Sequence, residues 1–196
     1  MTIFSDILLI GPPGAGKGTQ AQRIEDEYGF SQISTGDMLR QAIACNSKLG
    51  QEVKPIVERG DLVPDELIVR VIRERLESKE AKRGFILDGF PRTIAQAEAL
   101  DQMLKEIGRS LHAVFEFSLD EDEAVERLVG RGFDEGRADD NPEVIRHRFT
   151  VWREQTLPLT EYYKQSGKLV VVDAAQSVDE VYVSIKRHLH LPEDPS

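Results

Sequence analysis

The sequence has a single cysteine, Cys45, among its 196 residues. One cysteine excludes a disulfide framework within the chain and a zinc site built from four cysteines. No apolar run approaches the roughly 18–20 residues that a membrane-spanning helix needs, and residues 1–10 lack the basic start of a signal peptide. We therefore expect a cytoplasmic protein with no membrane partner, in which Cys45 is a partly buried and unreactive thiol.

Basic residues are outnumbered. The chain has 25 lysines and arginines against 35 aspartates and glutamates, which gives a net charge of −10. An acidic chain is a poor binder of nucleic acid, because contacts to a phosphate backbone need an excess of basic residues. Sixteen of the basic residues are arginines, whose planar fork suits phosphate. If the protein handles phosphates, it must therefore cluster arginines locally.

Short apolar runs alternate with amphipathic stretches along the chain. The pattern predicts strands at 7–10, 32–34, 85–87, 113–117 and 169–172. It predicts helices at 17–28, from about 37, and at 65–76, 93–107, 121–129, 142–165 and 178–189. Such alternation indicates an α/β fold with a parallel sheet covered by helices on both faces. Because ligands bind outside the carboxyl ends of parallel strands, functional residues are expected just after each strand.

A glycine-rich segment follows the first predicted strand and opens the first helix. Gly11, Gly16 and Lys17 match the spacing of a phosphate-binding loop, or P-loop. Backbone N–H groups and the helix N-terminus favour phosphate oxygens there, and the lysine adds a positive charge. The hydroxyl residue expected after the lysine is displaced by one position, since Gly18 precedes Thr19. The segment predicts a nucleotide-binding site.

Asp88 ends the third predicted strand. Parallel strands carry the carboxylate to the sheet edge where the P-loop lies, and carboxylates near nucleotide phosphates hold Mg²⁺. We therefore expect Asp88 to hold Mg²⁺, directly or through water, and we favour the contact through water.

Five motifs, the P-loop included, resemble those of the adenylate kinase family, in the same order and over nearly the whole chain. They are Gly14-Ala-Gly-Lys-Gly-Thr-Gln20, Ser34-Thr-Gly-Asp-Met-Leu-Arg40, Asp88-Gly-Phe-Pro-Arg-Thr93 with Gln96, Arg127-Leu-Val-Gly-Arg131, and Arg137-Ala-Asp-Asp-Asn141 with Arg148. The displaced threonine of the P-loop is also the family's pattern. The resemblance implies a nucleoside monophosphate kinase that catalyses ATP + AMP = 2 ADP with Mg²⁺ and maintains the adenine nucleotide balance.

The resemblance also implies the architecture: a P-loop NTPase-like five-stranded parallel sheet flanked by helices, a helical NMP-binding subdomain and a short lid loop. The expected single domain has its core at 1–33, 64–129 and 141–190, the NMP-binding subdomain at 34–63, the lid at 130–140 and a frayed tail at 191–196. The lid is too short for the small subdomain that binds zinc in some relatives, so no zinc is expected. Gly132 and Gly136 flank it as hinge candidates. A monomer is expected.

The family's contacts imply roles for matching residues. The expected ATP contacts are Gly14, Ala15, Gly16, Lys17, Gly18, Thr19, Arg127, Arg131 and the backbone of Gln176. The expected AMP contacts are Thr35, Arg40, Asp61, Leu62, Val63, Gly89, Phe90, Pro91, Arg92, Gln96, Arg137 and Arg148, with Gln96 on the adenine ring. The expected catalytic cations are Lys17, Arg92, Arg131, Arg137 and Arg148, because bringing two nucleotides together requires several positive charges.

Two alternatives stay open at this point. A UMP/CMP kinase would share the fold, although Thr35, Thr93 and Gln96 match the adenine-specific pattern. A P-loop switch would bind one nucleotide and would not need Arg40, Arg92 and Gln96.

Some residues between 139 and 153 have a structural interpretation, either alone or as an alternative to a functional one. Asp139 and Asp140 either cap the helix that begins at Pro142 or hold the arginines of a closed lid. Arg146 and Arg153 are interpreted as solvated surface residues, and Trp152 as core packing.

Overall fold

The computed structural model describes residues 6–135, 137 and 139–189 of the chain. Five strands form one sheet: β1 (Asp6–Ile10), β2 (Ser31–Ser34), β3 (Phe85–Asp88), β4 (Ala113–Ser118) and β5 (Leu169–Asp173). All neighbouring strands run parallel, in the order β2-β3-β1-β4-β5. The predicted parallel sheet is thus confirmed, and each strand lies within one residue of its predicted bounds.

Helices connect the strands. They are α1 (Lys17–Tyr28), α2 (Thr35–Ala44), α3 (Lys48–Arg59), α4 (Asp65–Leu76), α5 (Ile94–Glu106), α6 (Glu121–Glu135), α7 (Pro142–Val151), α8 (Leu159–Gln165) and α9 (Val178–Leu189). A short 3-10 turn at Glu80–Arg83 precedes β3, and a π-helical segment at Trp152–Thr156 follows α7. Among the described residues, no helix has both the length and the apolar character that crossing a membrane requires.

Alternate residues of the strands face opposite sides of the sheet and fill two separate cores. Leu8 of β1 and Leu87 of β3 face a core with α4, α5 and α8. Ile7 and Leu9 of β1 face a second core with α1 and α9. This alternation covers both faces of the sheet with helices, so the carboxyl edge of the strands is left for the functional loops.

The segment 34–63 folds as two packed helices, α2 and α3, rather than as one. Ser47 begins α3, since its hydroxyl accepts a hydrogen bond from the Gly50 N–H at 3.0 Å. A Cβ atom on Gly50 would lie 2.0 Å from the carbonyl oxygen of Ala42. Glycine at this position therefore permits the close contact between α2 and α3 that makes the segment a compact unit.

Helix α6 was predicted to end at 129, but the structure continues it to Glu135. The end of the helix expected at 129 is wrong, and helix covers the first part of the segment 130–140; the extent of the lid stays a prediction. Gly132 lies inside this helix, where a Cβ atom would come 3.0 Å from the Asp140 carbonyl oxygen. Its lack of a side chain lets the returning chain approach α6. Gly136, the tail at 191–196 and residues 1–5 lie outside the described residues.

The helix predicted over 142–165 is divided. Its regular ladder changes at Trp152, whose carbonyl accepts from the Leu157 N–H at 2.8 Å in a π-type turn. Pro158 has no N–H to extend the ladder, so α8 begins anew after it. The expectation that Cys45 is partly buried was also wrong, because the residue ends α2 and is exposed.

Candidate active site

The P-loop lies between β1 and α1, as the sequence predicted. Gly14 and Gly16 both have positive φ angles, of 82° and 83°, which glycine adopts without strain. The Lys17 ammonium donates to the carbonyl oxygens of Gly11 at 3.0 Å and Pro12 at 2.7 Å. Burial is the largest cause that lowers its pKa to about 8, and nearby arginines add to the effect, while Asp88 opposes it. The loop thus holds a buried cation whose cost of burial the charge of Asp88 offsets only in part.

Asp88 ends β3 beside this loop. A Cβ atom on Gly18 would lie 3.4 Å from Asp88 Oδ2, so the carboxylate adjoins the start of α1. Burial raises the pKa of Asp88, against the effect of Lys17 and Arg92. In the described part of the chain, no group of three or more His, Cys, Asp or Glu side chains is arranged to hold a metal ion. Any cation here would need phosphate or water as further ligands.

A cavity of about 820 Å³ opens at the carboxyl ends of the strands. Among the described residues, its cationic lining consists of Lys17, Arg40, Arg92, Arg127, Arg131, Arg137 and Arg148. Asp37 and Asp88 are the carboxylates in the same lining. Because the chain as a whole is acidic, this local excess of positive charge marks a site for anions.

Asp140 holds two of these arginines. Its Oδ2 lies 2.7 Å from Arg131 Nε, and its Oδ1 lies 2.7 Å from Arg148 Nη1. Burial favours the neutral form of Asp140, but the hydrogen bond to Arg131 and the charges of both arginines outweigh it and lower its pKa. The side chain that caps α7 is Asn141, which accepts from the Val144 N–H at 3.1 Å. Of the two interpretations given above, the arginine contact is therefore the one observed.

Asp139 extends this network toward the helical segment 34–63. It lies 3.4 Å from Arg148 and 3.8 Å from Arg40 of α2. Arg40 also pairs with Asp37 at 2.6 Å. Carboxylates thus orient the arginines while leaving the cavity with more cations than anions.

Arg92 follows β3 and lines both this cavity and a smaller one beside it. Its Nε donates to the Gly89 carbonyl at 2.8 Å, and the Thr35 hydroxyl donates to the same oxygen at 2.8 Å. Burial lowers the pKa of Arg92 to about 10, and the charge of Arg148 contributes. The crowding of these guanidinium groups is unfavourable until an anion lies between them.

A smaller cavity of about 70 Å³ adjoins the large one, against α2, α3 and the start of α4. Predicted AMP residues in its lining are Thr35, Arg40, Asp61, Leu62, Val63, Gly89, Arg92, Gln96 and Arg148. Asp61 is also held by Arg59 at 2.9 Å and His147 at 2.6 Å. Phe90 differs from the expectation, because its side chain is fully buried in the core and lines neither cavity.

The remaining predicted residues line the large cavity. These are Gly14, Ala15, Gly16, Gly18, Thr19, Pro91, Arg127, Arg131, Arg137 and Gln176. Arg127 pairs with Glu123 at 2.6 Å on its own helix.

Sequence reasoning missed several lining residues. Trp152 was assigned to core packing, yet it reaches the large cavity beside Val151 and Thr156 as well as packing on α6 and α7. No local motif marks these positions, because the break after α7 brings them to the cavity.

The P-loop, the arginine network and the smaller cavity beside α2 and α3 form one site. The family model of the adenylate kinases matches residues 9–168. The chain belongs to the adenylate kinase family. Similar proteins named adenylate kinase include one from Thermus thermophilus, 49% identical over 189 residues, which covers 96% of this chain and 99% of the relative. Another, from Parvibaculum lavamentivorans, is 50% identical over 178 residues, covering 89% and 87%.

Family membership sets the activity. The chain is an enzyme, a nucleoside monophosphate kinase that transfers a phosphoryl group reversibly in the reaction ATP + AMP = 2 ADP. Adenylate kinases bind ATP, AMP and ADP, and the cationic site in this chain has two adjoining cavities.

Proposed function

We propose that ATP occupies the large cavity along the P-loop and that the base of AMP enters the smaller cavity, with the phosphates of both nucleotides meeting at the arginine network. The P-loop residues 14–19 would hold the ATP phosphates, and Arg127 and the backbone of Gln176 would lie nearer its base. The observation that carries this proposal is that two adjoining cavities share Arg40, Arg92 and Arg148 in their linings.

AMP would lie between α2, the 60–63 segment and the loop after β3. Thr35 and Arg40 line this cavity from α2. Asp61, Leu62 and Val63 line it from the segment after α3. Gly89, Pro91 and Arg92 would surround the AMP phosphate, while Gln96 would meet the adenine ring. The buried Phe90 would support this loop from the core rather than contact the nucleotide.

Phosphoryl transfer in this site would depend on positioning and charge. Two nucleotides together carry roughly six negative charges when each terminal phosphate is doubly ionised. Lys17, Arg92, Arg131, Arg137 and Arg148 would offset that charge and stabilise the transferring group, for which a single well-placed arginine contributes on the order of 10³–10⁵ in rate. No general base is proposed, because the transfer involves little covalent chemistry for the protein.

Mg²⁺ fits the donor set beside the P-loop. Magnesium in phosphoryl-transfer sites takes one or two carboxylates and completes its oxygen ligands with water and phosphate. Asp88 is a carboxylate of this kind, and because burial raises its pKa, a nearby cation would offset the cost of its negative charge. When bound, the metal would neutralise phosphate charge, and Asp88 would hold it, through water. No zinc is proposed.

The lid is proposed to act over 130–140, with its first half formed by the end of α6, and the NMP-binding subdomain over 34–63. Closure of both would exclude water, so that AMP accepts the phosphoryl group instead. We further propose a cytoplasmic monomer whose partners are small nucleotides rather than nucleic acid or a membrane.

Steady-state kinetics with each substrate varied in turn would test the two-cavity assignment. Arg127→Ala should raise KM for ATP more than KM for AMP, and Arg40→Ala should do the reverse. Arg146→Ala is the matched control, because Arg146 is exposed on α7 and lines neither cavity. Equal effects of the Arg127 and Arg40 variants on both KM values would contradict the assignment.

A further inference from the structure

Gln96 lines the smaller cavity, and both ends of its side-chain amide are already engaged by protein groups. Its Oε1 accepts from the backbone N–H of Arg92 at 2.7 Å. Its Nε2 donates to Asp65 Oδ1 at 2.6 Å. Gln96 is almost fully buried, at 3% exposed. Asp65 lines neither cavity, and its contact with the cavity lining is the hydrogen bond to Gln96.

These two partners fix the direction of the amide. A backbone N–H can only donate, and an ionised carboxylate can only accept. Rotating the amide by half a turn would point Oε1 at the Asp65 carboxylate and Nε2 at the Arg92 N–H. Both contacts would then be repulsive in a buried setting, where an unsatisfied polar group costs about 1–3 kcal/mol. The amide therefore has one favourable orientation, set by chemistry on both sides.

The fixed amide keeps a limited hydrogen-bonding capacity for a ligand. An amide oxygen accepts twice and an amide nitrogen donates twice. With one of each already used, Gln96 retains one acceptor site and one donor hydrogen. Adenine presents an amino donor at position 6 beside a ring-nitrogen acceptor, and these complement the retained pair. Guanine and hypoxanthine present a carbonyl at position 6, which faces an amide oxygen unfavourably.

We propose that Asp65 is a positioning residue that determines purine specificity, by preventing Gln96 from turning to accept a 6-oxopurine monophosphate. This inference rests on the proposed contact between Gln96 and the AMP base. Without Asp65, water can fill its place and either donate or accept, so the amide loses half of the bias that fixes it.

Asp65 also has contacts that would suit a purely structural role. It opens the first turn of α4, where a negative charge favours the helix. Its Oδ2 accepts from the Thr93 hydroxyl at 3.2 Å, and Thr93 caps α5. A loss of helix stability would lower the use of all monophosphates together. Specificity changes the ratio between two of them, so the ratio separates the two roles.

The test is the ratio of kcat/KM for AMP to kcat/KM for inosine monophosphate, with ATP as donor. Asp65→Ala should lower this ratio about tenfold, the value of roughly one hydrogen bond. Asp65→Asn should also lower it, because the Asn amide can turn to donate to Oε1 and, like water, no longer fixes the direction of Gln96. Glu66→Gln, the neighbouring exposed acid in the first turn of α4, should leave the ratio unchanged. An unchanged ratio in Asp65→Ala or in Asp65→Asn would overturn the proposal.

Gln96→Leu distinguishes failure of this inference from failure of the base contact beneath it. If Gln96→Leu leaves both KM for AMP and the ratio unchanged, Gln96 does not read the base, and both fall. If Gln96→Leu lowers the ratio while Asp65→Ala does not, the base contact stands and only the role of Asp65 is wrong.

A measurement on the parent protein covers the case in which Asp65→Ala does not fold. By NMR, one side-chain amide hydrogen of Gln96 should exchange slowly with water because the Asp65 carboxylate holds it. Rapid exchange of both hydrogens would contradict the fixed orientation.

Discussion

Asp140 and Arg148 form an ion pair at the wall of the cationic cavity, with 2.7 Å between Oδ1 and Nη1 and a fully buried carboxylate. The same carboxylate also holds Arg131, near the end of α6. One acid therefore joins α6 to α7 and directs two arginines toward the place where phosphates would meet. Asn141, the next residue, caps α7, so the turn and the ion pairs are formed by adjacent side chains.

Asp140→Asn should therefore reduce both stability and activity. Removing one partner leaves two partly buried arginines without their anion, and breaking such a pair typically costs about 3–5 kcal/mol. Because Asp139 still contacts Arg148, we expect a loss of about 2–3 kcal/mol in the free energy of unfolding. Denaturant titration measures it, with Glu143→Gln on the exposed start of α7 as control.

The stability difference between parent and Asp140→Asn should depend on pH in one direction. The pKa of Asp140 is lowered in the fold from its ordinary value of 3.8. Its contribution is therefore fully present above that value and is lost as pH falls through the lower pKa of the folded state. Titrations at several acidic pH values should show the difference shrinking; a difference that grew toward low pH would contradict the pairing.

Arg92→Ala should abolish most of the transfer. The side chain lines both cavities and is the cation proposed for the AMP phosphate. We expect kcat/KM for AMP to fall by on the order of 10³, within the range known for arginines aimed at a transferring phosphoryl group. Arg146→Ala should stay within about twofold of the parent, as expected for an exposed side chain. Similar rates for the Arg92 variant and the parent would remove the basis for the AMP assignment.

Lys17 should impose an upper pH limit on ATP use. Burial lowers its pKa to about 8 in the free protein, so above that pH the P-loop loses its positive charge. We expect kcat/KM for ATP to fall about tenfold per pH unit above about pH 8, while the decline in kcat begins at higher pH because bound phosphate raises the pKa. A profile of kcat/KM that stays level to pH 9.5 would show that another group governs binding.

Gly50→Ala should disturb the packing of α2 against α3. The added methyl group would lie 2.0 Å from the Ala42 carbonyl oxygen, so the backbones of α2 and α3 must move apart. We expect a loss of about 1–3 kcal/mol of stability and a higher KM for AMP, with KM for ATP retained. Gly130→Ala is the contrasting variant, because α6 leaves open space there; it should gain about 0.5–1 kcal/mol, measured by the same unfolding titration.

The strands, the P-loop and most helices follow from local signals. Lys17–Tyr28, Asp65–Leu76 and Val178–Leu189 have their predicted bounds, because helical periodicity and the residues next to each helix are local signals. The end of α6 could not be predicted this way. Two glycines and the expected loop favoured an early end, whereas the packing of Asp140 against Gly132 is a contact between segments.

The candidate site shows the same division between local and long-range information. Motifs placed the residues at the strand ends and offered Asp140 as a partner for arginines, but no spacing indicates that it joins Arg131 to Arg148, or that Asp65 contacts Gln96 from 31 positions away. Trp152 reaches the cavity only because the helix changes its hydrogen-bonding pattern there. Such contacts depend on how distant segments pack, so the sequence indicates that these residues matter but not which residues they contact.

The most direct test of the account compares initial rates of ADP or nucleoside diphosphate formation from ATP with AMP, CMP and UMP at equal concentration. The account predicts a clear preference for AMP, because Gln96 in the smaller cavity is held in the orientation that complements adenine. Preference for a pyrimidine monophosphate, or no transfer to AMP, would contradict it.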